Sequence, residues 1–569
     1  MSDEIIGVRK IRDWIQLINE SDLSACEHGG SRSNRAKPQA GGIFERWLRS
    51  VYGDVPEFIR EQKQWYQKIL STFADIYDVE AEVIIARAPA RINLVGMHID
   101  HRGGRVNPIA AKEIVIVAQP RDDDYIFLND IDSEQFFPRR FRICEELPRE
   151  KIENWLQWTE LKSAEMKREG VAGDWANYAK AAALYLQELH RDALGRYTKK
   201  LKGMNALVAG SIPIAAGLGS SSALVVATAE ALVKINQLNF TPQEFVSICG
   251  AAEWYVGTRG GFGDHAAIKL SQKGHISHIG FFPLQVDFVP FLDGYRVAIC
   301  HTYKEAKKAA WAKSVFNERV ATYEIGLMLL KQKFPAIRDK VQYFRDLHPE
   351  RLGSDEAELY EMLKSLPIRI TREELLQLLE EETDNLLELF RTHDEPKEGY
   401  RVRGVCLFGL AECARAELAA SLLKNNDMVS FGELISISHD GDRVTRLVNG
   451  KRVKYHEEIT DEYLDKIIAD IRSNDKTRVE SARLYRQPGG YAVSCEELDE
   501  LVDIAMSLEG VLGAGRVGAG LGGCISVLVD ENKTDELIRK ISEEYYHPRN
   551  LEAAIEICFP VAGAGVIDV

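Results

Sequence analysis

A loop of glycines and hydroxyl side chains, Gly210-Ser-Ile-Pro213-Ile-Ala-Ala-Gly217-Leu218-Gly219-Ser220-Ser221-Ser222-Ala223, runs directly into Leu-Val-Val-Ala-Thr-Ala-Glu-Ala-Leu-Val-Lys-Ile235. The second stretch is mostly apolar and predicts a well-buried helix. The first N–H groups of such a helix have no partners within it, and its macrodipole favours negative charge at that end. Glycines in the approach let the backbone close on an anion. The chain must therefore set a short loop at the open end of a buried helix, and that loop points to phosphate and nucleotide chemistry.

The 569 residues exceed what one core ordinarily holds, so two domains with excursions are expected. With 45% hydrophobic and 28% charged residues, the chain reads as a soluble globular protein. A net charge of −15 speaks against a general nucleic-acid surface and for small molecules as partners. Nine cysteines are scattered without a Cys-x-x-Cys pair, which reads as buried thiols in a reducing compartment and not a disulfide or zinc framework. The opening residues carry acids early and no long apolar core, and no apolar run reaches membrane-spanning length. A cytoplasmic location is expected.

Residues 8–20 have helical spacing, 26–42 are a polar, glycine-rich joint, and 43–78 resume aromatic-rich helical patterns. Residues 1–80 thus read as a helical N-terminal extension. Strands are expected to begin at 83–86 and to run over 113–118 and 207–211, with helices over 174–190, 223–237 and 242–256. Residues 264–300 read as a return to strands, which closes a first α/β domain over 81–300. A second domain, 301–569, opens with long helices at 305–333 and 371–392 and carries insertions near 335–400 and 442–487. Asn449-Gly450 in the latter is a hairpin signal. Lysines 304, 307, 308 and 313 read as a solvated helix face.

Three more segments carry chemistry. Ala88-Pro-Ala-Arg91-Ile-Asn93-Leu-Val-Gly96-Met97-His98-Ile-Asp100-His101-Arg102-Gly103-Gly104 leaves a strand with many polar groups. Gly260-Gly-Phe-Gly263-Asp264-His265 follows a helix bearing Glu253, and Gly513-Ala-Gly-Arg516-Val-Gly518-Ala-Gly520-Leu-Gly522-Gly523-Cys524 precedes an apolar run. Taken singly, these fit a strand-end turn, an aspartate turn and a flexible hairpin. In this order, with the 210–223 loop between the first two, they resemble the GHMP small-molecule kinases, and within them the galactokinase-like sugar kinases.

The resemblance covers most of residues 72–300 and returns over 427–439 and from 491 through the third glycine motif. It implies an α/β (α+β), two-lobed GHMP kinase fold: a ribosomal-protein-S5-like N-terminal domain and a ferredoxin-like C-terminal domain behind the helical extension. It implies ATP and Mg²⁺ as cofactors, a small-molecule sugar as partner, no nucleic acid, no membrane, and a monomer or weak oligomer. By the same resemblance Asp264 is the catalytic base and Arg91 its partner. Gly217, Leu218, Gly219, Ser220, Ser221, Ser222 and Ala223 bind ATP; Ser221 or Ser222 and Glu253 face the metal; Gly518, Gly520, Gly522 and Gly523 support the phosphate loop. The role of Arg516 is left open.

Met97, His98, Asp100, Gly263 and Phe316 are the expected sugar-binding residues. Galactokinases usually have glutamate, receiving the sugar 6-hydroxyl, where this chain has Met97, and commonly a tyrosine where it has Phe316. Plant galacturonokinases resemble the Met97-His98-Ile-Asp100-His101 segment more closely. The expectation is a sugar-1-kinase for a galactose-configured sugar, galacturonate favoured over galactose, with His101 and Arg102 as candidate counter-charges. A silent ATP and sugar sensor on the same fold is the alternative class; intact Ser220–Ser222, Arg91 and Asp264 favour an enzyme.

Overall fold

The computed structural model describes residues 7–20, 42–213, 216–258, 261–304, 310–455 and 458–569. The joint at 26–41, Gly260, Lys307 and Lys308 lie outside them. The first sheet contains β1 (Arg9–Lys10), β2 (Glu82–Val95), β3 (Asn107–Pro120), β4 (Tyr125–Asp130), β5 (Arg139–Arg142) and β6 (Met204–Gly210), in the order β1-β2-β3-β6-β4-β5. Only β4 and β6 pair in parallel. Both faces are covered, so its strands read as continuous apolar runs instead of alternating ones. Val83, Ile85, Val115 and Val117 face the leading helices Ile11–Glu20, Ile43–Tyr52 and Pro56–Ile76. Ile84, Ala86, Ile114 and Ile116 face Ala176–Leu189, Ser220–Ile235 and Pro242–Glu253.

β2 runs well beyond the predicted 83–86. Its register against β3 shifts at Pro89/Ala90, where proline has no N–H to donate to a ladder. The strand resumes and carries Arg91 to its far end.

The 264–300 stretch is not all strand. Gly263–Leu270 is a helix whose Ala266, Ala267 and Ile268 are buried, and strands begin only with β7 (His275–Gly280), β8 (Gln285–Pro290) and β9 (Tyr295–His301). β7 and β8 form a hairpin, whereas β9 pairs with strands of the second half. The long helix expected over 371–392 is two, Arg372–Leu378 and Thr383–Phe390, separated by a tight turn at Glu380–Glu382. Three carboxylates at the end of the first helix oppose its dipole and favour the break.

A hairpin of β10 (Thr445–Val448) and β11 (Lys451–Lys454) turns at Asn449-Gly450 as expected, both residues having positive φ (51° and 74°). The second sheet adds β12 (Val511–Arg516), β13 (Cys524–Asp530) and β14 (Ile555–Cys558) to β9 in the antiparallel order β12-β13-β9-β14. Helices Glu496–Met506 and Thr534–Ile541 pack on one of its faces. A separate helical core gathers around Ala310–Lys333 and Val402–Lys424. Last, β15 (Gly565–Val566) returns to β2 opposite Arg87 and Ala86. Among the described residues no helix is long and apolar enough to cross a membrane.

Candidate active site

Arg91, at the end of β2, meets Asp264 in the first turn of the Gly263–Leu270 helix. Its Nε donates to Oδ1 at 2.7 Å and its Nη2 to Oδ2 at 2.9 Å, a fork that fixes the carboxylate plane. The remaining guanidinium nitrogen donates to the Gly217 carbonyl at 2.5 Å, and Arg91 N–H donates to the Leu218 carbonyl at 3.1 Å. One arginine thus holds both the aspartate and the phosphate loop.

The Ser220–Ile235 helix starts three residues earlier than the predicted 223, because Gly219 caps it in the left-handed region (φ 77°, ψ 30°). A Cβ on Gly219 would stand 3.5 Å from Asp264 Oδ2, so the open helix end and the aspartate share one space. Ser222 Oγ donates to Glu253 Oε2 at 2.7 Å, and His265 Nε2 lies 2.8 Å from the same oxygen. Among the described residues no three His, Cys, Asp or Glu gather as in an all-protein metal cage. A single carboxylate beside serine hydroxyls at a phosphate cradle suits Mg²⁺, which keeps waters and binds mainly through phosphate oxygens. Ile214 and Ala215 of the loop lie outside the described residues.

The third glycine motif connects β12 to β13 and approaches that loop closely through backbone. A Cβ on Gly518 would lie 2.5 Å from the Gly217 carbonyl oxygen, and one on Gly217 2.8 Å from the Val517 carbonyl oxygen. No side chain fits between the strands of this contact. Beyond it, Gly520 packs on Val493, and the Gly523 N–H donates to Lys304 O at 2.8 Å while its carbonyl accepts from Thr302. Leu521 and Gly522 complete the turn.

The sugar segment leaves β2 opposite this cluster. A Cβ on Gly263 would stand 3.1 Å from Asp100 Oδ2, which sets Asp100 beside the Asp264 helix. Burial raises the Asp100 pKa, but the His101 hydrogen bond at 3.2 Å and the Arg91 charge outweigh it and leave the carboxyl below its ordinary range. Met97 is buried, with Asn93 Nδ2 3.5 Å from its sulfur. The His98 ring stacks on Tyr491 at 4.2 Å and contacts Arg516. Phe316 is half-buried on the Ala310–Lys333 helix, about one turn before Val320, whose carbonyl accepts from Arg102.

The counter-charges expected for a uronate are not free. Arg102 is ion-paired with Glu324 and mostly buried, and burial lowers its pKa to about 10. His101 is pushed below its ordinary value by burial and by Arg102, so the ring is neutral near pH 7. Both side chains are committed to the packing of the segment.

Sequence reasoning missed Glu412. Fully buried on the Val402–Lys424 helix, it accepts from the N–H groups of Gly96 and Met97 at 2.7 and 2.8 Å and from Ser438, and it pairs with Arg415 at 2.7 Å. It shapes the sugar segment from over 300 residues away, and nothing in the local pattern around it marks that role. Arg345 was missed for the same reason; it donates to the carbonyls of Gly103 and Phe282 at 2.8 and 2.7 Å.

Two histidines with lowered pKa, His98 and His393, make stability pH-dependent. Burial holds His98 well below its ordinary pKa and His393 at about 4. In the unfolded chain each titrates near ~6.5. Above that pH the stabilisation is fully present; as pH falls below it, only the unfolded chain gains protons and stability is lost. The slope is about 1.4 kcal/mol per pH unit for each such histidine. Thermal unfolding is expected to move down between pH 7.5 and 5, and His393→Gln to flatten that dependence; an unchanged slope in the variant would count against it.

Three regions of the chain match known protein families. Residues 177–272 match the GHMP kinases N terminal domain, residues 467–547 the GHMP kinases C terminal domain, and residues 71–120 the galactokinase galactose-binding signature. The chain thus matches both domain models of the GHMP kinases, and it is an ATP-dependent sugar kinase. It is 26% identical to the galactokinase of Schizosaccharomyces pombe over 538 residues, 89% of this chain and 96% of that one. The galactokinase of Homo sapiens is 25% identical over 83% of this chain and 90% of its own length. In fold it is similar to Lactococcus lactis galactokinase, solved with galactose, at a TM-score of 0.57, with 88% of this chain and 98% of that one covered and 22% identity.

Proposed function

We propose that the protein transfers the ATP γ-phosphoryl group to the anomeric hydroxyl of a galactose-configured sugar, with galactose preferred over galacturonate. The Arg91–Asp264 fork beside the Gly219 cap carries this reading, because it puts a fixed carboxylate next to the open helix end. Galactose is favoured because curated relatives are galactokinases and because Arg102 and His101 have no charge to spare for a C6 carboxylate.

In this proposal the Asp264 carboxylate takes the hydroxyl proton as the sugar oxygen attacks the γ-phosphorus, and ADP departs with the β–γ bridging oxygen. Arg91 keeps that carboxylate oriented and faces charge developing on the phosphoryl. N–H groups of Ser220, Ser221 and Ser222 at the helix start receive phosphate oxygens. Ser221 or Ser222 with Glu253 would hold Mg²⁺, which would supply neutralisation of phosphate charge. Asp100, His98 and Gly263 line the sugar side, with Met97 and Phe316 as its apolar walls. Residues 1–80, 81–300 and 301–569 are proposed as extension, phosphate-loop domain and second domain, in a cytoplasmic protein.

An ADP-release assay over galactose, galacturonate, glucuronate, arabinose and N-acetylgalactosamine, with ³¹P NMR of the product, tests the reading. Galactose is expected to exceed galacturonate in kcat/KM by about tenfold or more, the order of one buried polar contact. A preference for galacturonate would reverse the assignment of the sugar. ATP binding without turnover of any sugar would leave a sensor.

A further inference from the structure

Arg516 stands where three of the motifs converge, and no part of the proposed reaction uses it. The side chain is essentially buried. Its Nε donates to Asp442 Oδ2 at 2.7 Å, one terminal nitrogen donates to the Gly518 carbonyl, and the other contacts His98 Nε2. Gly518 is the residue whose backbone abuts Gly217 of the phosphate loop. One guanidinium therefore spans the sugar segment, the Met428–Asp442 helix and the glycine turn beneath the phosphates.

A guanidinium only donates hydrogen bonds. His98 Nε2 must then be the acceptor, and the single proton of the neutral ring resides on Nδ1. We infer that Arg516 is a positioning residue that fixes His98 as the Nδ1–H tautomer and locks that ring to the glycine turn supporting the phosphate loop. The inference rests on the proposed contact of His98 with the sugar. A neutral ring with a fixed N–H offers a sugar hydroxyl oxygen one donor of known direction, and the same arginine sets that donor's distance from the phosphate side.

The groups facing His98 agree with a neutral ring. Arg516 comes from β12, Arg319 from the Ala310–Lys333 helix and the neutral His101 from the sugar segment itself; burial first, then the two guanidinium charges, disfavour an imidazolium. Tyr491 stacks on the ring and Phe408 of the Val402–Lys424 helix lies 6.2 Å away, centroid to centroid. Among the described residues the facing carboxylate is Asp442, 3.9 Å from Nε2 and engaged by Arg516. Arg319 is held in turn by its hydrogen bond to Tyr491 O at 2.7 Å.

Nitrogen-15 histidine NMR on the full-length protein tests this without reference to turnover, His98 being assigned by the signals lost in His98→Gln. Nδ1–H with unprotonated Nε2 is expected from pH 5.5 to 8; an Nε2–H tautomer would overturn the inference. In Arg516→Met the ring is expected to titrate within that range. Sugar KM should then rise by about tenfold between pH 8 and 6, the order of one lost contact, while kcat changes less and wild-type KM stays flat. Arg516→Lys keeps the charge and should restore part of the flat profile. Unaltered His98 titration and KM in Arg516→Met would equally overturn it. If Arg516→Met does not fold, the wild-type tautomer decides alone. If no sugar is turned over, the NMR result still judges Arg516 and the failure belongs to the proposed reaction.

Discussion

Asp264→Asn is expected to lower kcat by about 10²–10⁴, the usual contribution of a positioned general base. Asparagine keeps the shape of the side chain and leaves Arg91 an acceptor oxygen, but it cannot take the sugar proton. The ion pair it removes is partly open to solvent, with the aspartate side chain 36% exposed and the arginine 14%. Such a pair is worth no more than about 1 kcal/mol, so the unfolding temperature should barely move. ADP-release kinetics together with a thermal melt read both effects. Loss of chemistry with KM for ATP and sugar nearly intact is the expected pattern; turnover undiminished in the variant would remove Asp264 from the reaction.

Glu113→Ala should destabilise the fold by about 3–5 kcal/mol, because it leaves a buried guanidinium without its counter-charge. Arg87 and Glu113 are each 3% exposed and joined at 2.6 Å. Tyr52 and Tyr66, from the Ile43–Tyr52 and Pro56–Ile76 helices, both donate to Glu113 Oε1, at 2.5 and 3.1 Å. Burial and the Glu113 charge push both phenols well above their ordinary pKa, so both remain donors. The Glu113 backbone also binds Ser211, where the chain enters the phosphate loop. Denaturant unfolding should therefore show the loss, and KM for ATP should rise in whatever fraction folds. A change below about 1 kcal/mol would mean that the cluster relaxes freely.

The phosphate loop was legible because everything it needs is consecutive: two glycines, three serines and the buried helix behind them lie within one short stretch. The partnership of Arg91 with Asp264, 173 positions apart, came from the family resemblance and has no local signature. The counter-charge expected in Arg102 failed for a related reason. Its ion-pair partner Glu324 lies on a helix of the second half, and no property of the sugar segment announces that a distant carboxylate has already claimed the guanidinium. The Gly263–Leu270 helix was hidden by the glycines around Asp264, which read as a turn; buried Ala266, Ala267 and Ile268 decide in favour of helix.

β15 gives this architecture an order in time. The segment joining β2 at Gly565–Val566 is preceded by the Ala562 and Gly563 carbonyls that receive Arg87, 475 and 476 positions away in sequence. At about 5–20 residues per second of synthesis, β2 waits roughly half a minute to a minute and a half for that lateral partner. During the wait the strand bearing Arg91 has an unpaired edge, the kind of surface that nascent-chain chaperones cover. Completion of the strand that carries Arg91 would accordingly await synthesis of the Gly565–Val566 segment.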